Sequence, residues 1–474
     1  MSYVPHEEAF MIRFAGTCAL ALLLAILLIP DATLGQSLIR DDDPKQPGIE
    51  LGQTIADGQR TRYVRLDPTA LAESTVILRL FDDANYRAQR KGGRRHQQTD
   101  VWVGEIENEP MSSVIVSLHE SGVLFGKIEV GSRSFFIKHF SGPVYAVIER
   151  DPDLPEDNEA VGDDFIILGD EAIQGDDDFG PEGDQDLQLG KLDADSACLP
   201  TTSCGPQVID IMVVYTAAAR GALGGTDPLA EAAIATAVAE MNTGLSNAGV
   251  SHSFNLVFTG EVSYAESGDA STDLTRLRNT SDGFMDIVHD MRDAYGADLV
   301  SLITDTGGCG IGYVPSTPTN LTPTSGFSVV RDDCLTGNKT LAHEVGHNMG
   351  LHHDWYVNNS TTPCEWHHGY VNQAAFGGTS SQRWRTLMAY NNQCAASGFN
   401  CTRLTYYSNP SNTYNGDPMG VAQGNPNPAD NAFGLERTAC QIANHRSPHR
   451  PSVASLLRDD KGGLYEDVRA RSHG

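Results

Sequence analysis

Residues 343–354 read HEVGHNMGLHHD, and this stretch decides how the rest of the chain is interpreted. Positions four apart on an α-helix lie on one face, so His343 and His347 can direct two ring nitrogens to one metal ion. Gly350 allows the chain to leave the helix with a positive φ, and a turn there brings His353 toward the same point. Three protein ligands with an open fourth position are typical of a catalytic zinc site. The spacing therefore predicts one catalytic Zn²⁺ ion held by three histidines.

Glu344 is the predicted catalytic residue of this site. It lies one step round the helix from His343, which is too far for a metal ligand but close enough to accept a proton from water at the ion. The alternative is an ordinary helix with solvated histidines. That alternative is disfavoured, because the complete spacing rarely arises by chance. His352 does not fit the ligand spacing, and we expect it to lie behind the ligands or in solvent.

The extended motif resembles that of the metzincin metallopeptidases. Asp354, directly after the third histidine, is most similar to their adamalysin or reprolysin branch, and the chain resembles bacterial secreted members. Metzincins carry a methionine-containing turn beneath the metal. Residues 386–390 read TLMAY, and Met388 lies 35 residues after His353, so this segment is the candidate turn. The resemblance implies a zinc endopeptidase.

Tyr390 departs from the reprolysin pattern. A tyrosine two residues after the methionine is instead similar to the astacin-like and serralysin-like branches. The resemblance implies that Tyr390 is a second catalytic residue, which either ligates zinc in the resting enzyme or donates a hydrogen bond to the oxyanion. A packed core tyrosine is the alternative. The subfamily therefore stays open at this point.

The pattern up to the motif helix predicts an α/β catalytic domain, because strand-like and helix-like segments alternate. The resemblance implies a metzincin-like twisted mixed sheet with an edge strand. Residues 309–314 (CGIGYV) are short and glycine-rich, which suits that edge strand. In metzincins the equivalent strand pairs antiparallel with the substrate backbone. Predicted helices cover residues 228–248, 273–295, 340–349 and 431–444.

The remaining segments suggest a secreted precursor. Residues 17–30 form an apolar run, which is too short to span a membrane but suits a signal peptide. An uncleaved signal anchor is the alternative. Short alternating runs before residue 150 predict a small antiparallel β region. We expect a signal peptide at 1–35, a β-rich prodomain at 36–150, an acidic linker and activation region at 151–204, the catalytic domain at 205–446 and a disordered tail at 447–474.

Charge and cysteine usage narrow the function classes. The formal net charge is −29, and residues 151–195 hold 17 acidic residues against one lysine, which argues against nucleic-acid binding. Eight cysteines follow the signal peptide, which suits disulfides in a secreted chain. We expect the pairs Cys309–Cys334 and Cys198–Cys204. His367 and His368, beside Cys364, are expected in a surface loop.

The sequence thus predicts a secreted, extracellular zinc metalloendopeptidase made as a zymogen. Its partners would be protein or peptide substrates, with no nucleic acid and no stable membrane span after signal cleavage, and we expect a monomer. One alternative is a non-catalytic zinc-binding adhesion or recognition module on the same fold. Another is a zinc hydrolase that acts on something other than peptides. No sequence feature supports a structural Ca²⁺ ion.

Overall fold

The computed structural model describes residues 35–40, 54–56, 59–150, 164–168, 204–316, 321–362 and 364–447. Nearly all of the predicted signal peptide, most of the acidic linker with Cys198, and the predicted tail after residue 447 lie outside the described residues. Within the described residues, no helix combines the length and apolarity needed to cross a membrane.

The N-terminal region is a ten-stranded sheet in which every pair except β1–β4 is antiparallel. Its order is β1-β4-β5-β6-β7-β8-β9-β10-β3-β2. Alternate side chains point into its own apolar core, as the sequence pattern predicts. The strands are β1 Gln36–Ser37, β2 Thr54–Ala56, β3 Gln59–Arg65, β4 Thr75–Phe81, β5 Ala84–His96, β6 Thr99–Ile106, β7 Ser113–His119, β8 Leu124–Val130, β9 Arg133–Ser141 and β10 Val144–Arg150.

The second sheet has six strands in the order β11-β15-β16-β14-β12-β13. All of its pairs are parallel except β15–β16. This mixed sheet, together with the helices around it, confirms the predicted α/β fold. β11 comes from the acidic linker and lies outside β15, the predicted edge strand. The strands are β11 Phe165–Leu168, β12 Val208–Tyr215, β13 Ser253–Glu261, β14 Leu299–Thr304, β15 Gly310–Pro315 and β16 Phe327–Arg331.

Helices pack against this sheet and position the motif. One prediction was wrong: the helix expected at 273–295 is two helices, separated by a segment rich in polar and turn-forming residues. The helix after this break ends at Gly296, whose φ of 64° gives the left-handed cap that glycine favours. The helices are α1 Ala217–Ala222, α2 Asp227–Asn247, α3 Ala270–Arg278, α4 Ile287–Tyr295, α5 Cys334–Gly337, α6 Thr340–Asn348, α7 Asn392–Ala396 and α8 Asn431–Ile442.

Helix α2 joins the two sheets, because the N-terminal sheet packs on one side of it and the catalytic sheet on the other. A buried ion cluster crosses this contact. Lys127 on β8 pairs with Glu240 on α2, and their side chains are 1% and 2% exposed. Lys127 Nζ also lies 3.4 Å from Glu129, which accepts from Lys339 at 2.7 Å. Charged groups this deeply buried require partners of opposite charge. The ion pairs therefore link the N-terminal sheet to the region that packs on it.

After α6 the chain is rich in loops, and disulfides cross-link the chain on both sides of this helix. The predicted pair Cys309–Cys334 is present, whereas the predicted pair Cys198–Cys204 is wrong, because Cys204 pairs with Cys440. This bond joins the start of the catalytic region to α8. A third bond, Cys394–Cys401, closes a short loop. Two small sheets complete the region, formed by β17 Trp384–Arg385 with β18 Thr402–Arg403 and by β19 Asn409–Tyr414 with β20 Asp417–Met419.

Candidate active site

Helix α6 and the turn after it bring three imidazole rings to one point. The Nε2 atoms of His343 and His347 lie 3.2 Å apart, and that of His353 lies 3.2 Å from His343 and 3.1 Å from His347. Gly350 has a φ of 87°, so the chain turns where the motif requires it. All three rings are buried. Three ring nitrogens that face each other at these distances are arranged to share one ion.

Asp164 supplies a fourth donor atom from a distant part of the sequence. Its carboxylate oxygens lie 3.2, 3.3 and 2.7 Å from the Nε2 atoms of His343, His347 and His353. The four groups therefore form one cluster with metal-ligating chemistry. A regular tetrahedron with about 2.0 Å from its centre to each corner has edges of about 3.3 Å. The cluster thus fits a tetrahedral ion with nitrogen and oxygen ligands.

Two hydrogen bonds fix which ring nitrogens face the ion. The Nδ1 of His343 lies 2.9 Å from the carbonyl oxygen of Leu387, and that of His347 lies 2.8 Å from the carbonyl oxygen of Leu351. A carbonyl only accepts, so each Nδ1 carries the proton and each Nε2 keeps its lone pair. Burial also lowers the pKa of both imidazoles, which favours the neutral form that binds metal.

Glu344 is buried beside the cluster and faces the edge strand β15. Among the described residues, neither carboxylate oxygen has a hydrogen-bond partner. Burial raises the pKa of this carboxyl well above its usual range, the nearby Asp164 charge raises it further, and Arg403 opposes the shift. Gly310 on β15 passes close to Glu344. A Cβ at this position would collide with Glu344 Oε1, so only glycine fits there without displacing the carboxylate. The glycine-rich strand therefore leaves room for the glutamate.

The methionine-containing turn lies directly beneath α6. A Cβ on Gly346 would stand 2.5 Å from Met388 Sδ, so the glycine inside the motif allows this close packing. Asp354 reaches the same turn, because its Oδ2 accepts the backbone N–H of Tyr390 at 2.9 Å. The Tyr390 ring stacks on His353 with 4.1 Å between ring centroids. The turn therefore supports the cluster of three histidines through packing, stacking and a charge-assisted hydrogen bond.

The linker strand β11 lies in the groove beside β15 and runs parallel to it. The N–H of Gly312 donates to the carbonyl oxygen of Asp164 at 3.1 Å. The Phe165 ring is buried against His347 and His353, at centroid distances of 5.0 and 5.3 Å. Ser316 Oγ donates to the carbonyl oxygen of Leu168 at 2.8 Å. The groove next to the metal cluster is thus filled by the chain itself.

Three further histidines are buried, which contradicts the expectation for His367 and His368, whereas a position behind the ligands was one of the two expected for His352. His367 and His368 are not in a surface loop, since both are 0% exposed, and His352 is 1% exposed. The His352 ring stacks on His367 at 4.4 Å, and His368 Nδ1 lies 2.7 Å from the carbonyl oxygen of His353. These rings support the backbone that carries the third ligand. Sequence spacing could not reveal this, because the contact depends on a bridge between residues 352 and 368.

A small cavity opens beside the cluster and brings the predicted site residues together. It contains groups that the sequence predicted, namely His343, Glu344 and Tyr390. It also contains Asp164 and Arg403, neither of which was predicted. No local motif marks these two residues, because one precedes β11 and the other lies on β18. Cys309, Gly310, Asn338 and Thr340 complete the lining.

Fold and site together define a metallopeptidase of the metzincin type. Residues 231–354 match the family described as metallo-peptidase family M12B, reprolysin-like. A peptidyl-Asp metalloendopeptidase of Stenotrophomonas maltophilia is 41% identical over 399 residues, covering 81% of this chain and 86% of the relative. A protein of the same name from Xanthomonas campestris is 37% identical over 417 residues, covering 85% and 89%. The chain belongs to this reprolysin-like metalloendopeptidase family, and the non-catalytic alternative is not favoured. Its substrates are peptides or proteins.

Proposed function

We propose that this chain is a secreted zinc endopeptidase that cleaves peptide bonds next to aspartate. The observation that carries the proposal is the cluster of His343, His347 and His353, with Nε2 atoms 3.1–3.2 Å apart. Three imidazole nitrogens at tetrahedral spacing suit zinc, whereas calcium takes six to eight oxygen ligands. The aspartate preference is taken from the names of the relatives.

Glu344 is proposed to move the protons of the reaction. Bound zinc supplies a water molecule whose pKa is lowered to about 7 and polarises the scissile carbonyl. Glu344 accepts a proton from the attacking water and then delivers it to the leaving amine. Its burial suits this role, because a raised pKa makes the carboxylate a stronger base.

Tyr390 is proposed to assist at the developing oxyanion. Its ring is held against His353 by stacking, and its side chain lines the cavity that contains His343 and Glu344. A phenol placed at the metal cluster can donate a hydrogen bond to an oxygen that gains charge in the transition state. This role needs the hydroxyl, whereas support of the histidine needs only the ring.

Maturation is proposed to follow the segments expected from the sequence. Removal of residues 1–35 accompanies secretion. Cleavage within residues 151–204 then separates the prodomain at 36–150 from the catalytic domain at 205–446, which acts as a monomer. The position of Asp164 and β11 in the groove supports this order, because peptide substrates need the same place.

The experiment is protein hydrolysis by the secreted chain, with and without a chelator, beside Glu344→Gln. Product peptides are sequenced to locate the cleaved bonds. The expected result is cleavage next to aspartate that the chelator abolishes and zinc restores. Glu344→Gln should lose the activity while keeping about one zinc ion per chain. Chelator-resistant cleavage, or loss of zinc from Glu344→Gln, would contradict the assigned roles.

A further inference from the structure

We infer that Arg403 is the residue that recognises the carboxylate of the substrate aspartate. This role rests on the endopeptidase activity proposed above and adds the group that selects the substrate. Arg403 lies on β18, outside the motif helix and the methionine-containing turn. Its side chain nevertheless lines the same cavity as His343 and Glu344. A cation therefore stands in the same cavity as one histidine of the cluster and the proposed general base.

Two backbone carbonyl groups hold the guanidinium in place. Nη1 donates to the carbonyl oxygen of Asn338 at 2.8 Å, just before α6, and Nη2 lies 3.4 Å from the carbonyl oxygen of Ala389. The residue is only 3% exposed. A guanidinium held rigidly in a cavity of low dielectric attracts a carboxylate strongly and binds it in a planar, two-point geometry.

The cavity already accommodates a carboxylate in this structure. Asp164 lines it together with Arg403, although its oxygens are directed to the histidines. The cavity thus combines a metal cluster with a fixed positive charge, which matches an acidic side chain beside a polarised carbonyl.

Arg385 provides a matched control, because it is also a buried arginine but does not line the cavity. The two arginines are direct partners in the β17–β18 pair. Arg385 is also buried, and its Nη1 donates to the carbonyl oxygen of Ala389 at 2.6 Å. It does not belong to the cavity lining among the described residues. A purely structural role for buried arginines predicts the same effect at both positions, whereas substrate recognition predicts an effect at Arg403 alone.

The test measures a ratio within each preparation. Two peptides are compared that are identical except for aspartate or asparagine at one position, with the cleaved bond located by mass spectrometry. Arg403→Gln should lower the ratio of kcat/KM for the two peptides by about 10- to 100-fold. Arg403→Lys should retain part of the preference for the aspartate peptide, and Arg385→Gln should leave the ratio unchanged. Partial unfolding reduces both rates equally, so it does not alter the ratio.

An unchanged ratio in Arg403→Gln would overturn the inference, and so would an equal loss of the ratio in Arg385→Gln. Failure of the proposed function gives a different result. In that case the unaltered mature chain cleaves neither peptide.

Discussion

The backbone N–H of Tyr390 donates to Asp354 Oδ2 at 2.9 Å, so the residue after the third histidine holds the turn beneath the metal. The other carboxylate oxygen of Asp354, Oδ1, accepts the backbone N–H of Tyr356 at 3.1 Å. The same carboxylate therefore ties the ligand loop to the methionine-containing turn. Asp354 and Tyr390 are both buried, which makes the hydrogen bond between them worth more than it would be in water.

This link predicts the effect of removing the carboxylate. Asp354→Ala leaves the buried N–H of Tyr390 without its acceptor, so the free energy of unfolding should fall by about 1–3 kcal/mol. Asp354→Asn keeps an acceptor oxygen and should lose less. Denaturant unfolding of the zinc-loaded protein measures both. Equal stability of Asp354→Ala and the unaltered chain would show that the hydrogen bond does not support the turn.

Gly310 should be required for catalysis although it carries no functional group. A Cβ at this position meets Glu344 Oε1, so Gly310→Ala should displace the glutamate and lower kcat by roughly tenfold or more, with zinc content unchanged. Gly308→Ala is the control, since a Cβ there meets no atom within 4 Å. Steady-state kinetics and metal analysis of the two variants provide the comparison. Full activity of Gly310→Ala would exclude this steric role.

Tyr390 allows the ring and the hydroxyl to be separated. Tyr390→Phe keeps the stack on His353 at 4.1 Å and removes only the hydroxyl. If the hydroxyl assists the oxyanion, kcat should fall by about 10- to 1,000-fold while zinc affinity and KM change little. Tyr390→Ala should in addition weaken zinc binding. A fully active Tyr390→Phe enzyme would limit the residue to support of the ligand.

The ion pair of Lys127 and Glu240 should govern how firmly the N-terminal sheet holds the catalytic region. Lys127→Met leaves a buried carboxylate uncompensated and should destabilise the intact chain by about 3–5 kcal/mol. Adding Glu240→Leu should recover much of that loss. A double-mutant cycle of unfolding free energies measures the coupling. Additive losses in the two single variants would mean that the residues do not interact.

Local sequence patterns predicted those parts of the site that lie close together in the chain. Helix geometry predicted that His343 and His347 share one face, and the turn at Gly350 predicted that His353 approaches them; the three rings do meet in the structure. The glycines of β15 also predicted the edge strand. Gly310 and Gly312 have to pass α6 closely, since a Cβ on either would meet atoms of Glu344.

Long-range contacts were beyond prediction. Asp164 reaches the cluster only because β11 pairs with β15, and no periodicity reports on such a pairing. Arg403 reaches the cavity through a two-residue strand, which is too short to give a pattern. Cys204 pairs with Cys440 across 236 residues of sequence, so proximity along the chain misled the expectation of a bond to Cys198. His367 and His368 were misplaced because their burial depends on the fold around the third ligand.

Anomalous diffraction at the zinc absorption edge tests the central claim most directly, using crystals of the intact Glu344→Gln chain. The proposal predicts one strong peak between the Nε2 atoms of His343, His347 and His353, with the Asp164 carboxylate at the fourth corner. No peak at this position, or zinc bound to cysteine sulfur elsewhere, would contradict a catalytic zinc centre built on the motif helix.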